Sequence, residues 1–149
     1  MRLTVYQLEH SPYCIPITRA LGALGVPYAT RNGSNGDRRE VIELTKGAYY
    51  QVPVLSYDAE VVFESSPSSV DVARYVERKF GGGRLFPARW EGLQRIVIPY
   101  IENEVESITF KLVDPHYLRE IQDPIERGMV RRHKERKFGA GCEERWERE

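Results

Sequence analysis

Cysteine, histidine and methionine are scarce in this chain of 149 residues, with 2, 3 and 2 copies respectively. Cys14 and Cys142 lie too far apart in sequence to form a disulfide framework, which favours a reducing compartment, the cytoplasm. His10, His116 and His133 have no metal-ligand spacing with one another or with the cysteines, so no metal site is expected. Net charge is absent too. Lysine plus arginine and aspartate plus glutamate number 22 each, which excludes a global field aimed at nucleic acid or an anionic membrane. No apolar run approaches the roughly 18–20 residues that a membrane helix requires. The N-terminus enters a strand pattern directly, without a signal-peptide core. Repeats and low-complexity tracts are missing.

What is present is an ordinary globular composition, 41% hydrophobic and 30% charged. Residues 3–8 read as a strand, with Leu3, Val5 and Tyr6 on its buried side. Ser11-Pro12 is a cap-plus-proline helix start, and Ile17, Ala20, Leu21 and Leu24 then follow helical spacing up to Gly25. Residues 26–30 form a short second strand pattern. Asp37 and Glu40 make a capping box for a helix that ends near Gly47. Residues 54–57 and 61–64 are two more strands around a turn at Asp58-Ala59-Glu60. Ser66-Pro67 reads as another helix start, and Val70, Ala73, Val76 and Phe80 give that helix its face. The glycines at 81–83 suggest a domain boundary, with residues 84–87 as connector. Beyond it, Trp90, Leu93, Val97, Ile101, Val105, Ile108 and Leu112 mark one long amphipathic helix, kinked at Pro99 and ended by Asp114-Pro115. Asp123-Pro124 opens a further helix to about Lys137.

The chemistry concentrates in residues 52–66. Val52-Pro53 stands directly before a strand, where proline cannot donate into the ladder; a cis bond would turn the chain and leave neighbouring backbone groups free for a ligand. Glu64 and Ser65 stand at the expected helix start. That pairing suits a zwitterionic amino-acid group, its ammonium on Glu64 and its carboxylate at the helix end.

These residues resemble the glutathione-binding half of the glutathione S-transferases, in which a Val–cis-Pro precedes a strand pair and a Glu-Ser or Gln-Ser pair binds the γ-glutamyl end of glutathione. The resemblance implies a thioredoxin-like βαβαββα domain over residues 1–80, a linker over 81–87 and a partial all-helical domain over 88–149. It also implies Val52 backbone hydrogen bonds to the peptide, Pro53 in the cis form, and Gln51 near the glycyl carboxylate, with Lys46, Arg38 or Arg39 as further candidates there. Ser11-Pro12-Tyr13-Cys14 resembles the glutaredoxin Cys-Pro-Tyr-Cys motif with its leading cysteine replaced, which removes two-cysteine exchange. A serine at that place fits transferases whose hydroxyl donates to the bound thiolate; the other reading of Ser11 is a helix cap. Cys14 is either a packed hydrophobe or a lone redox thiol.

The resemblance therefore implies a transferase that binds glutathione and presents its thiolate to a small electrophile in a cleft between domains. It also implies a homodimer as the assembled state. A non-catalytic assembly module and a glutaredoxin-like thiol reductase acting through Cys14 are the alternatives. The apolar face of residues 90–112 exceeds what the remaining helices can cover, so further chain or a partner subunit is expected over it. The basic cluster Arg127, Arg131, Arg132, Lys134, Arg136 and Lys137 lacks interleaved aromatics and reads as a solvated helix face rather than a nucleic-acid surface.

Overall fold

A computed structural model describes residues 2–66 and 69–148. Pro67, the expected first-turn proline of the third helix, lies outside the described residues. The chain divides into two compact units, Met1–Glu91 and Gly92–Glu149.

The first unit holds β1 (Leu3–Gln7), α1 (Cys14–Leu24), β2 (Tyr28–Asn32), α2 (Arg39–Leu44), β3 (Val54–Tyr57), β4 (Glu60–Val62) and α3 (Asp71–Val76). Its sheet has the order β2-β1-β3-β4. β1 and β2 are parallel, as a helical crossover requires, and β3 runs antiparallel to both β1 and β4. Alternation along the strands divides the apolar residues between two faces. Leu3, Val5 and Leu55 pack with Ile17 and Leu21 of α1 and with Val72, Tyr75 and Val76 of α3. Val54, Leu8 and Cys14 pack with Val41 of α2, and Tyr6 lies against this second cluster rather than with Leu3 and Val5.

Helix ends follow local chemistry. Gly25 adopts φ 70° after α1, so that its N–H reaches Gly22 and the N–H of Val26 reaches Leu21. After α2, Lys46 (φ 54°) occupies the equivalent left-handed position, with its N–H on Glu43 and that of Gly47 on Ile42. Several boundaries differ from the sequence reading. β2 starts at Tyr28, and β4 is Glu60–Val62, because Tyr57 pairs with Glu60 around a tight turn at Asp58-Ala59. The third helix begins at Asp71 and not at Ser66, and its buried residues are Val72, Tyr75 and Val76.

The chain beyond α3 is fastened by the carboxylate of Glu77, directly after the helix, and by Arg74 within it. Glu77 accepts from the backbone N–H groups of Gly83, Leu85 (2.7 Å) and Phe86 (3.2 Å). Burial opposes its charge, but those three donors hold the carboxyl below its ordinary range. Gly81 is buried against the same carboxylate, where a β-carbon would collide with it. The guanidinium of Arg74 lies 4.0 Å from the Phe86 ring and 3.3 Å from Glu91. These contacts explain why the first unit extends to Glu91, past the glycine run.

The second unit is helical: α4 (Glu91–Tyr100) enters it and α5 (Glu106–Glu120), α6 (Pro124–Phe138) and α7 (Cys142–Trp146) follow. Pro99 supplies no N–H, and the helix changes to a wider π turn over Ile101–Val105 before resuming as α5. Asp114-Pro115 does not end the helix, correcting the sequence reading. Both residues are buried inside α5, and Asp114 lies 2.5 Å from the ammonium of Lys134 on α6. Packing there offsets the about 3 kcal/mol that an internal proline costs. Lys134 is accordingly not part of a solvated face; it is largely buried and sits 4.1 Å from the Phe110 ring. Asp123 caps α6 as its sequence indicates, accepting from the Ile125 N–H at 2.9 Å. Leu118, Ile121 and Val130 form the core, while Leu93, Ile96, Tyr100, Ile101, Ile108 and Leu112 remain exposed.

Removing one partner of a buried ion pair strands the other charge. Asp114→Ala is expected to destabilise the second unit by about 3–5 kcal/mol, and adding Lys134→Met to restore most of the loss. Urea denaturation followed by tryptophan fluorescence measures both; equal stability of Asp114→Ala and the unaltered chain would contradict the assignment.

Candidate functional site

The strand registers decide which loops meet. Gln7 is paired with Asn32, Tyr6 with Val54, and Leu55 with Val62. The chain therefore leaves β1, leaves β2, enters β3 and leaves β4 at one end of the sheet. Ser11, Gln51, Val52, Pro53, Glu64 and Ser65 all lie on the segments gathered there.

Ser11 begins the connection to α1. Its carbonyl accepts from the Ile15 N–H at 3.0 Å, and its hydroxyl oxygen accepts from the Tyr13 N–H at 3.3 Å. Both are bonds of a helix cap, although the regular helix starts at Cys14. Of the two roles that the sequence offers for Ser11, these bonds are those of the cap. Ser11 is 6% exposed and Cys14 is 0% exposed. Burial pushes the Cys14 thiol up from its ordinary range, against the lowering influence of Ser11, the Leu8 backbone and the Arg38 charge. Packed against Leu8, Val41, Val52 and Val54, Cys14 is a core residue, and the raised thiol weighs against its action as a lone nucleophile.

The Val52–Pro53 bond is cis. Both residues are buried, Val52 in the Cys14 cluster, while the Gln51 side chain is exposed and lies 3.4 Å from the Tyr50 hydroxyl. The preceding turn is fixed by Thr45, a residue with no signature in the sequence. Its buried hydroxyl donates to the Tyr49 carbonyl at 2.7 Å and accepts from the Tyr49 N–H at 3.1 Å. Tyr49 itself was not foreseen at the site. It stacks on Phe63 with ring centroids 5.2 Å apart, and burial, then the charges of Glu64 and Cys14, push its phenol up to about 12. An aromatic before Gln51-Val52-Pro53 would be the available signal.

Glu64 faces α3. Its carboxylate accepts from the Ser69 hydroxyl at 2.6 Å and from the Asp71 and Val72 N–H groups at 2.7 and 3.2 Å. The helix N–H groups that the sequence reading reserved for a ligand carboxylate are therefore held by Glu64, from a distance in sequence that no local capping pattern covers. Ser65 is exposed, and its N–H donates to Asp71 at 2.8 Å.

Of the three basic residues considered for the glycyl end, Arg38 lines a recess of about 530 Å³ together with Gln7, Asn32 and Val52. Arg39 is exposed and bound to Asp37, whose carboxyl it holds down at about 2. Lys46 is exposed at the end of α2. Among the described residues, no group of three or more histidine, cysteine, aspartate or glutamate side chains could hold a metal ion. No helix among them is long and apolar enough to cross a membrane.

Residues 5–84 match the family model of the glutathione S-transferase N-terminal domain. No curated protein matches the chain. Among solved structures, it is similar to a glutathione transferase of Phanerochaete chrysosporium at 21% identity and a TM-score of 0.78, covering 97% of this chain and 64% of that one. A glutathione S-transferase of Ceriporiopsis subvermispora, solved in complex with glutathione, gives 20% identity and 0.73, covering 98% and 63%. Glutaredoxin 2 of Salmonella typhimurium, also in complex with glutathione, gives 22% and 0.64, again covering 98% and 63%. The chain thus spans less than two thirds of the length of these structures. The fold they share with it is a thioredoxin-like α/β domain followed by an all-helical region.

Both thiols, Cys14 and Cys142, are free and buried. A colorimetric disulfide reagent at neutral pH is expected to leave them unreacted in the folded chain and to titrate both after denaturation. Rapid reaction of Cys14 in the native state would contradict its burial.

Proposed function

The chain belongs to the glutathione S-transferase family, and from that premise we propose that it binds glutathione and presents the glutathione thiolate to a small electrophile. The observation that carries this reading is the gathering of Ser11, Val52-Pro53 and Glu64-Ser65 at one end of the sheet, with the Val52–Pro53 bond cis. In the proposed complex the γ-glutamyl end lies against Glu64 and Ser65, the peptide lies along Val52, and the glycyl carboxylate approaches Gln51 and Arg38. The cysteinyl sulfur is then directed to Ser11.

A thiol with a pKa of about 8.5 is a few per cent ionised at pH 7. Donation from the Ser11 hydroxyl stabilises the anion and raises that fraction. The thiolate then forms a carbon–sulfur bond to the electrophile, and with an activated aryl halide the carbon–halogen bond breaks and halide leaves. Ser11 supplies one hydrogen bond and is not consumed. A reductase acting through Cys14 is opposed by its complete burial and raised pKa. The same reading takes a homodimer as the assembled state, supported by the exposed apolar residues of α4 and α5, and the cytoplasm as its compartment, supported by two free thiols.

Calorimetric titration with glutathione, combined with turnover of an activated aryl halide, tests the proposal. Saturable binding is expected, and Ser11→Ala is expected to lower kcat/KM at pH 7 by on the order of 10²-fold, with the deficit shrinking at higher pH as the bound thiol ionises unaided. Binding without turnover would leave a non-catalytic module. Absence of binding at millimolar glutathione would sink the transferase reading.

A further inference from the structure

Resting on that reading of the site, one contact bears on how tightly the ligand is held. The proposed complex sets the γ-glutamyl end against Glu64 and Ser65; with its ammonium on Glu64 and the helix N–H groups held by Glu64, its carboxylate falls to Ser65, whose N–H is already bonded to a carboxylate. Asp71, the first residue of α3, accepts from it at 2.8 Å. The Ser65 hydroxyl contributes as well, and together with the N–H it holds the Asp71 carboxyl below its ordinary range. Asp71 is positioned for this by its own backbone, because its N–H is fixed on Glu64 at 2.7 Å. The ring of contacts is closed. Glu64 holds the backbone of Asp71, and the side chain of Asp71 holds the backbone of the residue after Glu64.

We propose that Asp71 is an internal competitor for the ligand carboxylate, occupying the Ser65 N–H until glutathione displaces it. Two carboxylates cannot share that donor without repulsion, and the incoming anion exchanges one charge-assisted bond for another instead of adding one. The net gain at Ser65 is therefore small, and apparent affinity falls in proportion to the fraction of molecules with Ser65 open. A contact closed about nine-tenths of the time weakens binding about tenfold. Discrimination follows too. Competition acts on any ligand that takes the Ser65 N–H, and most strongly on one that brings a carboxylate, because repulsion by Asp71 is added to the closed contact. Asp71 is thus a residue that sets affinity and selectivity without joining the chemistry.

Asp71→Asn removes the competing charge and keeps the size of the side chain; Asp71→Ala removes the acceptor as well. Each variant is titrated with glutathione and with glutathione amidated at its γ-glutamyl α-carboxylate, and the Ser65 amide resonance is recorded in the free protein. The expected result is an upfield move of that resonance, larger in Asp71→Ala than in Asp71→Asn, which keeps a neutral acceptor, with about tenfold tighter glutathione binding and a smaller gain for the amide. Equal or weaker glutathione binding by both variants overturns the inference, as does a Ser65 resonance that stays in place. A moved resonance with no glutathione binding by any of the three proteins overturns the proposed function instead, and with it the competition, while the Asp71–Ser65 bond itself stands.

Discussion

The antiparallel register of β3 against β1 is the constraint on which the rest of the first unit depends. Opposing Tyr6 to Val54 and Val5 to Leu55 seats one apolar residue of each strand on each face of the sheet. A slip by one residue would turn every one of them to the wrong side. The same register brings the exit of β1 beside the entry of β3. Ser11 and Val52-Pro53 are thus carried to one end of the sheet by hydrogen bonds made well inside it, and α1 is anchored there by Cys14, buried among Val52 and Val54. The candidate site is a rim built on a packed floor: the apolar residues locate it, and a few polar groups stand on the segments above them.

Two glutamates then organise what the sheet does not reach. Glu64 takes up backbone N–H groups at the start of α3, and Glu77 takes up those of the segment that follows it. Each spans a gap in sequence that an ordinary capping residue does not. A buried N–H without a partner costs about 1–3 kcal/mol, so a carboxylate that satisfies two or three of them is a strong local determinant. At Glu64 this has a functional side. In the proposed complex the ligand meets groups already engaged in holding the helix, which would couple the stability of α3 to occupancy of the site.

Much of this was legible in the sequence, and the exceptions have physical causes. Alternating and helical spacing located the four strands and the main helices, and Gly25 and Asp123-Pro124 ended and opened helices as written. Val52-Pro53 carried enough local information to indicate its cis bond. Ser66 carried a local cap signature, yet α3 starts at Asp71, where Glu64 accepts from the backbone N–H groups from farther away in sequence. Asp114-Pro115 misled because a proline signal is local, whereas burial of Asp114 against Lys134 joins two helices. The same pair removed Lys134 from the basic face to which its neighbours assigned it. Thr45 gave no signal, and Tyr49 only that of an aromatic before Gln51-Val52-Pro53; the importance of both comes from the hydroxyl of Thr45 holding the Tyr49 backbone and from the stacking of Tyr49 on Phe63.

The claim at the centre of this account is that loops from three strand ends form a single glutathione site. Chemical-shift mapping of the backbone amides during titration with glutathione addresses it most directly. The account predicts that perturbations concentrate together on the segments around Ser11, around Val52 and around Glu64-Ser65, all with one dissociation constant. Shifts confined to one of those segments, or clustered in the second unit, would contradict it.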